Sequence, residues 1–148
     1  MERRLTIRCT SCGTLNRVPH EKIGQNARCG SCGAGIDTSG WSDRPVDVTD
    51  SSFDAVVRSS ARPVLVEFWS PTCGHCLRMA PVLDELALEL TGRVVVAKLD
   101  VTRNPRTSSL YEIRGTPAFV LIKGGQVAAR TVGALDKAEL VRRVRPYI

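Results

Sequence analysis

Long apolar runs are missing from this chain of 148 residues. None approaches the roughly 20 residues that a bilayer-spanning helix needs, so no membrane segment is expected. A secretory leader is missing too. The stretch Met1-Glu2-Arg3-Arg4-Leu5-Thr6-Ile7-Arg8 carries charge but no apolar centre. The starting Met1 argues against a leader already removed, so the cytoplasm is the expected location. Aromatic residues make up 5% of the chain, and none interleaves with basic residues around Cys9–Cys32. That argues against nucleic acid as a partner, despite a net charge of +6. Residues 1–40 hold six Lys/Arg and three Asp/Glu, a balance of +3. Four thiolates and a zinc ion would lower it to about +1.

Cysteine, in contrast, is plentiful, with six in the chain. In a reducing compartment that number points to metal ligands or redox chemistry more than to structural disulfides. Four of them form two pairs, Cys9-Thr10-Ser11-Cys12 and Cys29-Gly30-Ser31-Cys32, with sixteen residues between the pairs. This fits the C-x2-C-x15–20-C-x2-C pattern of zinc sites. Gly13 and Gly33 follow the second cysteine of each pair, where glycine lets the loop turn so that backbone N–H groups reach the sulfurs. Four thiolates suit a closed, structural zinc, whose binding would supply the folding energy of so small a module. Two disulfides or free thiols are the alternative. His20 lies between the pairs, but four cysteines already fill the shell.

The other two cysteines lie in Val64–Leu90, around which the chain is organised. A short apolar run, Val64-Leu65-Val66-Glu67-Phe68-Trp69, breaks at Ser70-Pro71-Thr72. Cys73-Gly74-His75-Cys76 follows and leads into an apolar-periodic segment. The spacing predicts a strand, a tight turn and a helix with both cysteines in its first turn. Residues three apart share a helix face, so Cys73 and Cys76 can close a disulfide. The helix start favours negative charge on Cys73. A thiol near pKa 8.5 falls to about 3.5–7.5 in such places.

Residues 1–36 therefore read as a zinc ribbon, 37–44 as a linker containing Trp41, and 45–148 as an α/β domain. In that domain Val46-Asp47-Val48 forms a strand, and Asp50 or Ser51 caps a helix to about Ser59. Pro81 should kink the helix that follows the cysteines. Val94–Leu99 is a buried strand, and Pro105 opens a short helix. Ala118–Lys123 and Gln126–Val132 flank Gly124-Gly125 as a hairpin. Asp136 caps a last helix to about Arg145. Such alternation predicts a mixed central sheet with helices on both faces.

Phe68-Trp69, Cys73-Gly74-His75-Cys76, Pro81, Ile113-Arg114-Gly115-Thr116-Pro117 and Val132-Gly133-Ala134 fall in the order and spacing of the thioredoxin family. With the two N-terminal pairs, the chain resembles its zinc-bearing bacterial branch, thioredoxin 2. The resemblance implies a thioredoxin fold and a protein-disulfide reductase, with Cys73 attacking and Cys76 resolving. It implies a cis Pro117 facing the disulfide, backbone hydrogen bonds from Thr116 to an extended substrate, and room for that substrate at Gly133. It implies electrons from NADPH through thioredoxin reductase, disulfide-containing protein substrates, and no bound organic cofactor. Three positions depart from the family pattern. Thr72 replaces an aromatic, His75 a proline and Glu67 an aspartate, the last two as in protein disulfide isomerase.

Glu67 is informative by itself. A carboxylate inside an apolar strand has a raised pKa and could deprotonate Cys76. A wet edge position is the other reading. Lys98 either pairs with Glu67 or is solvated at a strand end. His75 beside Cys73 can carry charge that favours the thiolate. That would place the potential between thioredoxin, about −270 mV, and disulfide isomerase, about −180 mV. Trp69 and Phe68 read as packing. A more oxidising isomerase or oxidase, and a ribbon for protein docking with an accessory redox domain, are the alternative functions.

Overall fold

The computed structural model describes residues 4–19, 22, 27–36, 38 and 43–148. His20 and Trp41 lie outside them.

Alternation of apolar side chains about a central strand builds the larger unit. Strand β6 (Val64–Trp69) pairs in parallel with β7 (Val95–Asp100) and antiparallel with β8 (Ala118–Lys123). Strand β5 (Val46–Asp47) lies beyond β7 and β9 (Gln126–Val132) beyond β8, which gives the order β5-β7-β6-β8-β9. Successive strand residues point to opposite faces. Val64, Val66 and Phe68 therefore enter one core with Phe53, Val57 and Tyr111. Leu65 enters the other with Met79, Leu83, Leu86, Leu140 and Val144. Those residues come from α1 (Gly74–Glu89) and α3 (Lys137–Val144). Each fully buried Leu or Val contributes roughly 1.5–3 kcal/mol. Glu67 has the parity of Leu65, so its carboxylate points to the α1 face of the sheet.

Most expected elements form where the sequence places them. Pro105 opens α2 (Pro105–Leu110), and Asp136 caps α3 by accepting the Glu139 N–H at 2.8 Å. The hairpin turns at Gly124-Gly125, both at positive φ. Strand β7 starts one residue late because the Val94 amide is committed to the Leu90 carbonyl, 3.0 Å away, in the turn leaving α1. Helix α1 runs on through Pro81, which sits on its exposed side.

The helix expected over 51–59 is a single π-helical turn, Asp54–Arg58. Asp50 does not cap it. Thr49 closes the entry instead, its amide donating to Ser52 Oγ at 2.9 Å and its carbonyl accepting from Phe53. The Asp50 carboxylate reaches across to α2 and accepts from Thr107 N–H at 2.8 Å and Arg106 N–H at 3.2 Å. Asn104 returns the contact by accepting the Asp50 N–H at 2.8 Å. Bonds from Thr107 and Arg106 hold the Asp50 carboxyl below its ordinary range. An aspartate that reads as a local cap thus ties two distant segments together.

Among the described residues, the N-terminal unit forms two short hairpins. Strands β1 (Arg4–Arg8) and β2 (Leu15–Pro19) pair antiparallel, as do β3 (Ala27–Arg28) and β4 (Gly35–Ile36). Among the described residues its buried apolar centre is Ile7, Cys9, Val18, Cys29 and Ile36, too little apolar surface to fold such a unit unaided.

Candidate functional site: a dithiol at a helix start and a four-cysteine cluster

Strand β6 delivers the chain to Trp69, and a turn then presents the cysteines. Ser70 builds that turn, its carbonyl accepting the Cys73 N–H at 3.1 Å and its hydroxyl lying 3.0 Å from Thr72 Oγ1. Cys73 is the N-cap of α1, with extended backbone angles. Its sulfur accepts the Cys76 N–H at 3.2 Å, the place a capping oxygen would take. The half-buried Cys73 and the buried Cys76 are joined by a disulfide, with Cα atoms 5.2 Å apart. On reduction, the donor that caps the helix would solvate a Cys73 thiolate, and the dipole of α1 would act in the same sense.

Strands β8 and β9 supply the opposite wall. The Thr116–Pro117 bond is cis, and the Thr116 carbonyl oxygen lies 3.6 Å from Cys73 Sγ. Gly133, at φ 102°, donates its N–H to the Pro117 carbonyl at 2.8 Å. A Cβ there would project into open space.

Glu67 is buried, at 1% exposure, and neither of its carboxylate oxygens has a hydrogen-bond partner among the described residues. Burial pushes its pKa up to about 7, against the opposing charge of Lys98. This removes the wet-edge reading. Lys98 is the register neighbour of Glu67 on β7, but its ammonium sits 4.8 Å from the centre of the Trp69 ring. It acts on Glu67 through space while resting on the indole. Phe68 is buried against Tyr111, in keeping with packing.

His75 is exposed on the first turn of α1, and Arg78 Nη2 donates to its Nδ1 at 3.0 Å. A guanidinium can only donate. In this contact Nδ1 accepts, and Arg78 brings a permanent positive charge to the same helix face. Arg78 is a second cationic group beside the dithiol helix start that the sequence analysis does not single out. Its place three residues after His75, on one helix face, is the signal that could have found it.

The other four cysteines converge. Their sulfurs all lie within 4.8 Å of one another, with Cys9–Cys32 at 3.7 Å and Cys12–Cys29 at 3.6 Å. A tetrahedral zinc with bonds near 2.3 Å needs sulfur–sulfur edges of about 3.8 Å, so the donor set fits. Gly13 and Gly33, at φ 80° and 73°, each bond back to the first cysteine of their pair, Gly13 N–H to Cys9 O and Gly33 N–H to Cys29 O. The Cys29 thiol is pulled down to about 6 by the Cys32 backbone, the Asn16 side chain and the Ser31 backbone. Asn16 is another residue the sequence did not reveal. It donates to Cys29 Sγ at 3.5 Å and accepts from Gly30 N–H at 2.9 Å, and no spacing marks it.

A helix-capping dithiol facing a cis-proline loop across a mixed sheet defines a thiol–disulfide oxidoreductase. The family model described as Thioredoxin matches residues 44–146, and the one described as Thioredoxin 2, N-terminal, matches residues 8–34. A thioredoxin of Haemophilus influenzae is 44% identical over 101 residues, covering 68% of this chain and 94% of that protein. A thioredoxin of Acidithiobacillus ferridurans is 46% identical over 99 residues, 67% of this chain and 92% of its own. A bifunctional thioredoxin reductase/thioredoxin of Mycobacterium leprae is 44% identical over 115 residues, 72% of this chain but 25% of its own length. The chain belongs to the thioredoxin family, and its activity is dithiol–disulfide exchange of the protein-disulfide reductase kind.

Proposed function

We propose that this reductase works through Cys73 as nucleophile, Cys76 as resolving thiol and Glu67 as the base that frees Cys76. The observation that carries this is the Cys73 sulfur at the head of α1, bonded by Cys76 N–H and facing the Thr116 carbonyl. In the reduced protein, Cys73 thiolate attacks one sulfur of a substrate disulfide. The substrate lies extended along Thr116-Pro117 and over Gly133. One sulfur–sulfur bond forms, another breaks, and the released substrate thiolate takes a proton. Glu67 then takes the Cys76 proton, directly or through water. Cys76 attacks the Cys73 sulfur, giving reduced substrate and the Cys73–Cys76 disulfide. Lys98 tunes Glu67. Thioredoxin reductase, drawing on NADPH, is the proposed electron donor, a reading supported by the fused relative. Protein disulfides are the substrates and the cytoplasm is the place. No described helix is long and apolar enough to cross a membrane. The assay is insulin reduction coupled to NADPH oxidation. A chain carrying Cys73→Ser should give no turnover, and turnover by that variant would reject the assignment.

The Gly74-His75 dipeptide supports a potential between those of thioredoxin and disulfide isomerase. The span, about 90 mV, is worth roughly 4 kcal/mol. His75→Pro should move the potential tens of millivolts toward thioredoxin in a glutathione titration. A wild-type potential below about −270 mV would remove this role.

Cys9, Cys12, Cys29 and Cys32 are the proposed ligands of a structural zinc in a ribbon at 1–36, joined by a linker at 37–44 to the domain at 45–148. Structural zinc contributes about 10–16 kcal/mol to such modules. A variant with Cys9→Ser and Cys12→Ser should lose the metal and show unprotected amides over residues 4–36 in hydrogen exchange. Retained protection in a zinc-free chain would refute it. Deleting residues 1–40 separates a docking ribbon from a purely structural one, since only the former changes KM for insulin.

A further inference from the structure

The N-terminal unit contains one six-residue string twice, changed at a single position. Arg8-Cys9-Thr10-Ser11-Cys12-Gly13 recurs as Arg28-Cys29-Gly30-Ser31-Cys32-Gly33. The structures repeat as well. The first cysteine donates its N–H to the carbonyl of the residue after the glycine, Cys9 to Thr14 and Cys29 to Ala34, each at 2.8 Å. The glycine N–H returns to the first cysteine's carbonyl at 2.9 and 3.0 Å. The arginine before the pair adds a third bond. Arg8 Nη1 donates to the Gly13 carbonyl at 2.7 Å, and Arg28 Nη1 donates to the Gly33 carbonyl at 3.3 Å.

These arginines are exposed strand residues whose long side chains would otherwise range through solvent. That both fold back onto the equivalent carbonyl, in two separate hairpins, makes the contact a feature of the loop and not an accident of one. A guanidinium bond to a carbonyl is charge-assisted. It also ties down the left-handed glycine that closes each cysteine loop, a loop in which Ser31 N–H lies 3.4 Å from Cys29 Sγ. Charge points the same way. Four thiolates and a zinc ion leave the site two units negative, and the two guanidinium groups offset that balance.

We propose that Arg8 and Arg28 are positioning residues that clamp the two cysteine loops closed around a tetrathiolate-bound divalent cation and slow its release. This rests on the zinc reading above. Outer contacts to metal loops change affinity by about 10–100-fold.

The test uses the full chain loaded with zinc, transferred to excess EDTA, with release followed by a chromophoric zinc indicator. Zinc content of the wild-type chain is measured first; a chain that binds none ends both the zinc reading and this one. Given bound zinc, Arg8→Ala and Arg28→Ala should each release it several-fold faster, and the double variant at least about tenfold faster. The double lysine variant, which keeps the charge but not the Nη1 donor that reaches the glycine carbonyl, should release zinc faster than wild type. Arg17→Ala, an exposed arginine of the first hairpin, should leave the rate unchanged. Cobalt-loaded double variants should show an altered tetrathiolate absorption band, which a mere change of net charge would leave alone. Three results would overturn the proposal while leaving the zinc reading intact: a double alanine variant within twofold of wild type, an Arg17→Ala rate as fast as the double variant, or full rescue by lysine.

Discussion

A chain carrying Cys76→Ser will stop halfway through its reaction and hold its substrate. Cys73 retains everything that makes it reactive, because the donor to its sulfur is the backbone N–H of residue 76 and not the side chain. Attack on insulin or a disulfide peptide therefore proceeds. The mixed disulfide then has no neighbour to resolve it. In the wild-type chain Cys76 sits one helical turn from Cys73, with Cα atoms 5.2 Å apart. Well-oriented intramolecular attack is equivalent to about 10⁵–10⁸ M of external reagent, and serine forfeits it. Millimolar external thiol cannot replace that advantage, so turnover should fall at least about 10³-fold. Intact-protein mass spectrometry under non-reducing conditions should show a one-to-one adduct through Cys73. The Cys73→Ser chain should show none, since buried Cys76 cannot reach a protein substrate. Adducts on Cys73→Ser but not on Cys76→Ser would reverse the assigned order.

Glu67→Gln should make the protein more stable and a poorer catalyst, with both effects dependent on pH. Burial raises the Glu67 pKa from the ordinary 4.5 to about 7. The folded chain therefore holds a proton that the unfolded chain releases at lower pH. Stability is greatest below the unfolded value and is lost as pH rises through the folded one. A shift of that size corresponds to roughly 3 kcal/mol. Glutamine imitates the protonated carboxyl at every pH. The variant should match wild type near pH 4 and exceed it by roughly 3 kcal/mol near pH 8 in urea unfolding. The oxygens of the wild-type carboxylate have no partner among the described residues, which is why removing the charge costs no bond. Catalysis moves the other way. Loss of a positioned base typically costs about 10²–10⁴-fold. The rate of mixed-disulfide resolution should fall by at least about 10²-fold, and its inflection near pH 7 should disappear. Parallel stability curves from pH 4 to 8 would show that Glu67 is not buried as described.

Much of this was readable in advance because it is written locally. A short apolar run marks β6 between the two cores, Gly124-Gly125 marks the hairpin, Pro105 and Asp136 mark helix starts, and the spacing of four cysteines marks their convergence. These signals span a few residues each. What was not readable depends on contacts between distant segments. Asp50 looks like the cap of the helix beside it, yet caps α2 more than fifty residues away because Thr49 and Ser52 already close the nearer turn. Lys98 was legible as a neighbour of Glu67, but its rest over Trp69 depends on the side-chain path across two strands. Asn16 reaches Cys29 from another hairpin. Arg78, three residues after His75 on the same helix face, was by contrast legible from spacing alone.

The most direct test is the rate at which iodoacetamide alkylates Cys73 in the reduced protein as pH is varied. A sulfur that caps α1 and accepts the Cys76 N–H should titrate between about 3.5 and 7.5 and react at neutral pH mostly as thiolate. If its rate instead follows an unperturbed thiol titrating near pKa 8.5, the capping geometry does not activate it and the account of the reaction is wrong.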